Sequence, residues 1–193
     1  MMQTIRLMGI DPALRNTGIA IGDYDILTGK LSIFQIELAQ TDIGGDGKVV
    51  RKSSDDLARG RVIVNEIRKA IALHKPSLAV AEVPGGTQNA RGAFSNGVCC
   101  GVLACLTLPL IEVSPKEVKL AATGDQHATK DQMIQSAVAN WPDAGWHMGK
   151  VKGKMQLVAR NEHMADACAA IQAGLLTAQF AQAVAMMNSM RAA

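Results

Sequence analysis

Short apolar runs and alternating stretches fill the first forty positions of the chain, and a helical period takes over after residue 54. Residues 5–10 are apolar enough for a strand, residues 17–23 alternate as a second, and residues 30–38 (KLSIFQIEL) read as a third. Residues 25–29 supply a turn, and two short connections joining three consecutive strands predict an antiparallel meander. A Gly-rich, basic stretch over 42–54 reads as a loop. Leu57, Arg61, Val64, Ile67 and Ile71 then give helical spacing over about 54–74, with Ser53 or Ser54 as the cap and Pro76 as the stop.

Residues 78–83 form a short, nearly continuous apolar run, which suits a strand buried on both faces. The pattern next predicts a long helix of small residues over 87–106, a fifth strand over 110–113 and a helix opened by Ser114 and Pro115. Another helix is expected over 128–140. Residues 141–160 contain Pro142, Gly145, Gly149 and Gly153 and read as a loop or hairpin. Asn161 begins a last helix toward Leu176, which the Ala- and Met-rich tail is expected to prolong. This order predicts an α/β fold: a mixed five-stranded sheet, three antiparallel strands and then strand–helix alternation, flanked by helices. Residues 1–177 are assigned to one domain and 178–193 to a C-terminal helical extension or tail.

Composition narrows the class. Of 193 residues 48% are hydrophobic and 19% charged, which excludes a disordered chain. The formal charge of +3 permits a nucleic-acid partner without demanding one. The longest apolar run, 98–110, is broken by Gly101, Thr107 and Pro109 and is short of the ~20 residues a membrane span needs. With no signal peptide legible at the start, the expectation is a soluble cytoplasmic protein without membrane contact. Cys99, Cys100, Cys105 and Cys168 match neither a disulfide framework nor zinc-ligand spacing, so reduced, buried thiols are expected.

Three acids fall at matched places. Asp11 ends the first strand, Glu82 ends the fourth, and Asp166 lies on the last helix one turn after His163. Strands one and four are both central in the inferred sheet, so their C-terminal ends are expected to be neighbours. Residues three apart on a helix differ by ~60° around its axis and ~4.5 Å along it, so His163 and Asp166 can face one point. Clustered carboxylates repel one another unless cations bridge them. Two magnesium ions ~4 Å apart would activate a water and stabilise the leaving oxygen of a phosphodiester. Asp11, Glu82 and Asp166 suit magnesium as oxygen ligands; His163 suits a softer manganese or a base that orients the water. Singly, each residue has a plainer explanation, such as a turn-forming Asp or a solvated His. Together, at these places in the strand order, they point to a nuclease.

The blocks carrying these residues resemble those of the RuvC-type Holliday junction resolvases, nucleases of the RNase H-like fold. Met8-Gly-Ile-Asp-Pro-Ala-Leu-Arg-Asn-Thr-Gly18 is similar to the family's opening motif, and Ala79-Val-Ala-Glu-Val83 to its second. Val113-Ser-Pro-Lys-Glu-Val-Lys119 with Ala128-Thr-Lys130 is similar to the third region, and Asn161-Glu-His-Met-Ala-Asp-Ala-Cys-Ala169 to the closing helix. The resemblance spans roughly 5–176 and implies cleavage of branched DNA. It implies Asp11, Glu82, His163 and Asp166 as catalytic metal ligands, Mg2+ as cofactor with Mn2+ able to substitute, and Lys119 and Lys130 as DNA contacts. It also implies a homodimer, built through the helix over 87–106, that acts on four-way junctions. Where family members often carry a wedging aromatic this chain has Pro84, Gly85 and Gly86, with Phe94 the nearest aromatic, and the loops over 42–54 and 141–160 look longer.

Further cations fit a DNA surface. Lys150, Lys152, Lys154 and Arg160 are glycine-spaced beside Trp141 and Trp146, a combination suited to phosphate contacts and stacking on unpaired bases. Arg91 follows Glu82 on the next helix, and Lys48, Arg51 and Lys52 form a second basic segment. Other readings are a sugar-kinase- or actin-like ATPase, which needs two lobes that 193 residues cannot supply, a non-cleaving DNA-binding module, and an RNA or RNA–DNA hybrid hydrolase. The sequence is compatible with a bacterial or a phage source.

Overall fold

A computed structural model describes residues 4–41, 51–151 and 153–192. Three strands open the fold: β1 (Thr4–Asp11), β2 (Asn16–Asp25) and β3 (Leu31–Gln40). Helix α1 (Lys52–His74), β4 (Leu78–Glu82), α2 (Ala90–Ala104) and β5 (Leu110–Val113) follow. Then come α3 (Pro115–Thr123), α4 (Lys130–Asn140), the hairpin β6 (Met148–Val151) and β7 (Lys154–Leu157), α5 (Asn161–Leu175) and α6 (Ala178–Ala192). The main sheet runs β3-β2-β1-β4-β5, antiparallel across β3, β2 and β1 and parallel across β1, β4 and β5. This is the mixed five-stranded sheet that the pattern predicted, with β1 and β4 central and adjacent.

Alternation along the strands splits the core into two layers. Ile5 and Leu7 of β1 with Leu78 and Val80 of β4 pack toward α3, α4 and α5. Met8 and Ile10 with Ala79 and Ala81 pack against Ile63 and Ile67 of α1 and Cys99, Val102 and Leu103 of α2. Both faces of β1 and β4 are therefore covered, which is why these strands read as continuous apolar runs.

Several local expectations need correction. Neither Ser53 nor Ser54 caps α1; Arg51 is its N-cap residue and makes no side-chain cap bond. Helices α3 and α4 instead carry capping boxes, Ser114 with Glu117 and Thr129 with Gln132. The tail does not prolong α5: the chain breaks after Leu175 and α6 departs at 68°. Only Cys99 and Cys168 are buried, because Cys100 and Cys105 lie on the outer side of α2 and at its end. Of the basic stretch over 42–54, Lys48 lies outside the described residues, while Arg51 and Lys52 start α1. Among the described residues no single helix is long and apolar enough to cross a membrane.

Candidate active site

The strand ends assemble the site by parity. On β1 the odd positions face α5, so Asp11 follows Ile5, Leu7 and Gly9 onto that side. On β4 the even positions do, so Glu82 follows Leu78 and Val80. The parallel register pairs Ile10 with Ala81, which leaves Asp11 and Glu82 side by side one step beyond. Helix α5 must then come very close to the sheet. A side chain at Gly18 would collide with the carbonyl oxygen of His163, and one at Gly9 with that of Ala167. The two glycines let the helix backbone rest on the strands and deliver its first turn to the carboxylates.

His163 Nδ1 and Asp11 Oδ2 lie 2.7 Å apart. Burial raises the Asp11 pKa above the ordinary carboxylate value, and the bond to His163 opposes that rise. The same bond raises the His163 pKa by favouring the imidazolium, while burial works against it. Glu82 is pushed up to about 7, first by burial and then by Asp11, with Lys119 and His163 pulling it down. Asp166 is pushed up to about 8 by burial, then by Asp11, Glu82 and Glu162. The four expected residues thus share one electrostatic neighbourhood. Among the described residues no three His, Cys, Asp or Glu side chains close on a common ligation point; buried carboxylates repel, and Asp11–His163 is the contact already made. Cys99 lies near Asp11, and burial, with Asp11 second, pushes its thiol up to about 12, which disfavours the thiolate.

The expected basic contacts divide. Lys119 on α3 is close enough to depress the Glu82 pKa. Lys130, at the start of α4, pairs with Glu162 at 2.7 Å, one residue before His163. The sequence did not single out Glu162; its place beside Lys130 and Asp166 comes from the packing of α4 on α5. Arg91 is not free at the surface: it forms a two-pronged ion pair with Asp56, a fully buried carboxylate on α1 that the sequence did not single out. Asp56 was hidden because its partner lies 35 residues away on another helix, beyond any local pattern.

Lys150 and Lys154 are exposed on the β6–β7 hairpin, while Lys152 lies outside the described residues. The hairpin is latched to the site helix, since the buried Asn161 side chain accepts from the His147 N–H and donates to the His147 carbonyl. Stacking by the tryptophans is corrected: Trp141 and Trp146 pack against the core, and the Trp146 indole donates to the Trp141 carbonyl at 2.8 Å. They anchor the base of the hairpin and are not free to take a base. Phe94 is half exposed on α2, in a groove against Leu57 and Val64 of α1. A cleft of about 780 Å³ lies at the opposite end of the sheet around Arg6, Asp23 and His74, far along the strands from Asp11.

Known proteins are similar to this chain in sequence and in fold. The family described as crossover junction endodeoxyribonuclease RuvC matches residues 7–141. The chain belongs to the RuvC family. A RuvC from Wolbachia sp. subsp. Brugia malayi (strain TRS) is 30% identical over 137 residues, covering 67% of this chain and 76% of the relative. One from Synechococcus sp. (strain CC9311) is 27% identical over 141 residues, covering 69% of this chain and 82% of the relative. Among solved structures, T. thermophilus RuvC in complex with a Holliday junction substrate is similar with a TM-score of 0.58 and 18% identity, over 88% of this chain and 92% of that one. The yeast mitochondrial Holliday junction resolvase Ydc2 is similar with a TM-score of 0.58 and 15% identity, over 88% and 77%. Both likenesses concern the fold. The RuvC family match ends at Trp141, before the hairpin and before the helix that carries His163 and Asp166.

Proposed function

We propose that this RuvC-family protein is a magnesium-dependent endonuclease that resolves four-way DNA junctions by paired phosphodiester hydrolysis. The observation that carries this reading is the half-buried patch of Asp11, Glu82, His163 and Asp166 at the adjoining ends of β1, β4 and α5. The relatives named above are crossover junction endodeoxyribonucleases, and the T. thermophilus protein was seen on a Holliday junction.

The donor set fits a hard divalent cation. Three carboxylates are drawn toward their neutral forms by burial and mutual repulsion, and a nearby double positive charge reverses both effects. Oxygen donors favour magnesium, with manganese accepted through His163. Bound there, the metal would supply an acidified water and neutralise charge on the phosphate. The chain's own groups do the rest. Asp11, Glu82 and Asp166 hold the charge in place. His163, oriented by Asp11 through Nδ1, serves as a ligand or as the base that orients the attacking water. Lys119 and Lys130 flank the patch and meet strand phosphates, joined by Lys150 and Lys154 on the hairpin.

The test is a comparison of four-way junction, RNA–DNA hybrid and linear duplex in magnesium, calcium and EDTA. Junction cleavage in magnesium, binding without cleavage in calcium and no cleavage in EDTA are expected. Preference for the hybrid, or full activity in excess EDTA, would sink the reading.

The reading includes a homodimer through α2. Phe94, Gly97, Gly101, Ala104 and Cys105 are exposed on this apolar helix, beside a groove of about 480 Å³ that it forms with α1. Small residues let two helices approach closely, and a two-fold dimer sets two identical sites against strands of like polarity. A supercoiled cruciform plasmid should pass directly to linear product. Nicked circles accumulating first, with a monomeric mass by light scattering, would remove the dimer and leave the nuclease standing.

A further inference from the structure

A second cleft opens beside His163, on the side away from α3 and α4. It measures about 350 Å³ and is lined by Arg15, Asn16, Lys52, Arg59, Arg91 and His163 among others, with neither an acid nor a second aromatic ring on its wall among the described residues. Asp55 and Asp56 lie behind that wall and pair with its cations. Among the described residues four cations stand against two carboxylates at the cleft, immediately next to the carboxylate patch.

The wall is fixed in place. Thr41 is buried, and its hydroxyl donates to the Leu14 carbonyl at 2.7 Å. Arg59 Nη1 donates to the Thr41 carbonyl at 2.6 Å and its Nε to Asp55 at 3.2 Å, tying α1 to the turn after β1. Arg91 is held more tightly still. Its Nη2 donates to Asp56 Oδ1 at 2.6 Å and its Nη1 donates to Asp56 Oδ2. The Asp56 carboxylate is wholly buried, while the Arg91 side chain remains 46% exposed. Two of the five guanidinium N–H donors are thereby used, the other three bond to no described residue, and Arg91 lines the cleft. Arg15 is exposed and makes no ion pair with any described residue.

A buried carboxylate gives little net stability for its desolvation when an apolar contact could fill the same space. Orientation is the benefit that remains: a two-pronged pair fixes a guanidinium in one plane, and a fixed guanidinium suits a phosphate. With four cations and, among the described residues, no stacking surface apart from the imidazole, the cleft matches a sugar-phosphate backbone better than a base.

We propose that this cleft is a phosphate-binding subsite for the strand running on from the scissile phosphate, and that Asp56 is the positioning residue that aims Arg91 into it. The subsite rests on the nuclease reading above, because it assigns the strand that reading places at Asp11.

The experiment measures binding of a fluorescent four-way junction across a salt series. It uses the full chain carrying Asp11→Asn, so that no cleavage intervenes. Arg91→Ala and Asp56→Asn are each expected to reduce the slope of log K against log salt by about 0.9, the share of one phosphate contact. Each should weaken binding about tenfold at moderate salt. The double variant should bind no worse than Arg91→Ala alone, since Asp56 acts through Arg91. Arg91→Lys, which keeps the charge and loses the fork, should recover part of the slope. A junction with one methylphosphonate next to the scissile position should lose affinity for the parent and lose none for Arg91→Ala. If Asp56→Asn lowers only the melting temperature and leaves the slope unchanged, Asp56 is structural and the proposal falls. Unchanged slopes in both variants, with a parent that binds normally, overturn the subsite alone. A parent that binds no junction, hybrid or duplex overturns the nuclease reading and the subsite with it.

Discussion

At the strand ends Asp11, Glu82 and Asp166 crowd together with one histidine, whereas behind the neighbouring cleft Asp56 sits alone against one arginine. Asp56 is buried, and the patch is half-buried. Glu82 and Asp166 are driven up to about 7 and about 8 by burial and by each other. Asp56 is held below the ordinary carboxylate range by its hydrogen bonds to Arg91, even though burial opposes the shift. The difference teaches that burial alone does not decide what an acid is for. An acid whose charge is already answered by the protein orients its partner. Acids left to repel one another are poised for a cation from outside.

The largest contrast is in cleavage. Asp11→Asn should lose the several kcal/mol of charge stabilisation that a bound metal gives, on the order of a thousandfold or more in single-turnover rate. Asp56→Asn should lose about tenfold through weaker binding, recovered at saturating enzyme. Equal losses in the two variants would erase the distinction.

Stability in EDTA should differ in sign. Asp56→Ala removes the partner of Arg91 and should cost about 2 kcal/mol, read as a lower melting temperature. Glu82→Gln relieves repulsion among buried acids and should stabilise by about 1 kcal/mol. A destabilised Glu82→Gln would show that the patch is not strained.

The smallest effect is on the pH dependence of that stability. Folding raises the Glu82 pKa from 4.5 to about 7 and that of Asp166 from 3.8 to about 8. The folded state therefore binds extra protons, and stability present below about pH 4 is lost as pH rises toward 8. Asp56 works the other way: its pKa is lowered by folding, so its contribution is present above 3.8 and lost as pH falls below it. Melts of the metal-free protein from pH 5 to 8 should decline, and Glu82→Gln should flatten the decline. A flat profile for the parent would count against the crowded patch.

The sequence carried far into this site, and the reasons are local. Asp11 and Glu82 end strands whose apolar runs are unmistakable, and strand parity fixes the face each acid takes. His163 and Asp166 share a helix face by spacing alone. Lys119 and Lys130 stood out through the resemblance, and both lie beside the patch. Trp141 and Trp146 were misread because glycine-spaced lysines beside an indole look the same whether the ring faces solvent or core. Their contacts to Leu31, to one another and to Leu157 join distant segments.

By itself the sequence determined the order of elements, the central pair β1 and β4, and the four residues of the patch, since each follows from a repeat of two or 3.6 residues or from a short contiguous block. Only the tertiary structure decided that Gly9 and Gly18 let α5 rest on the sheet, that Asp56 is buried under Arg91, and that Glu162 faces Lys130. Asp56 and Arg91 are 35 residues apart on different helices, and His163 and Asp11 are 152 apart. No local pattern encodes such a pairing; it exists only once the helices have packed on the sheet and the desolvated charges must find partners.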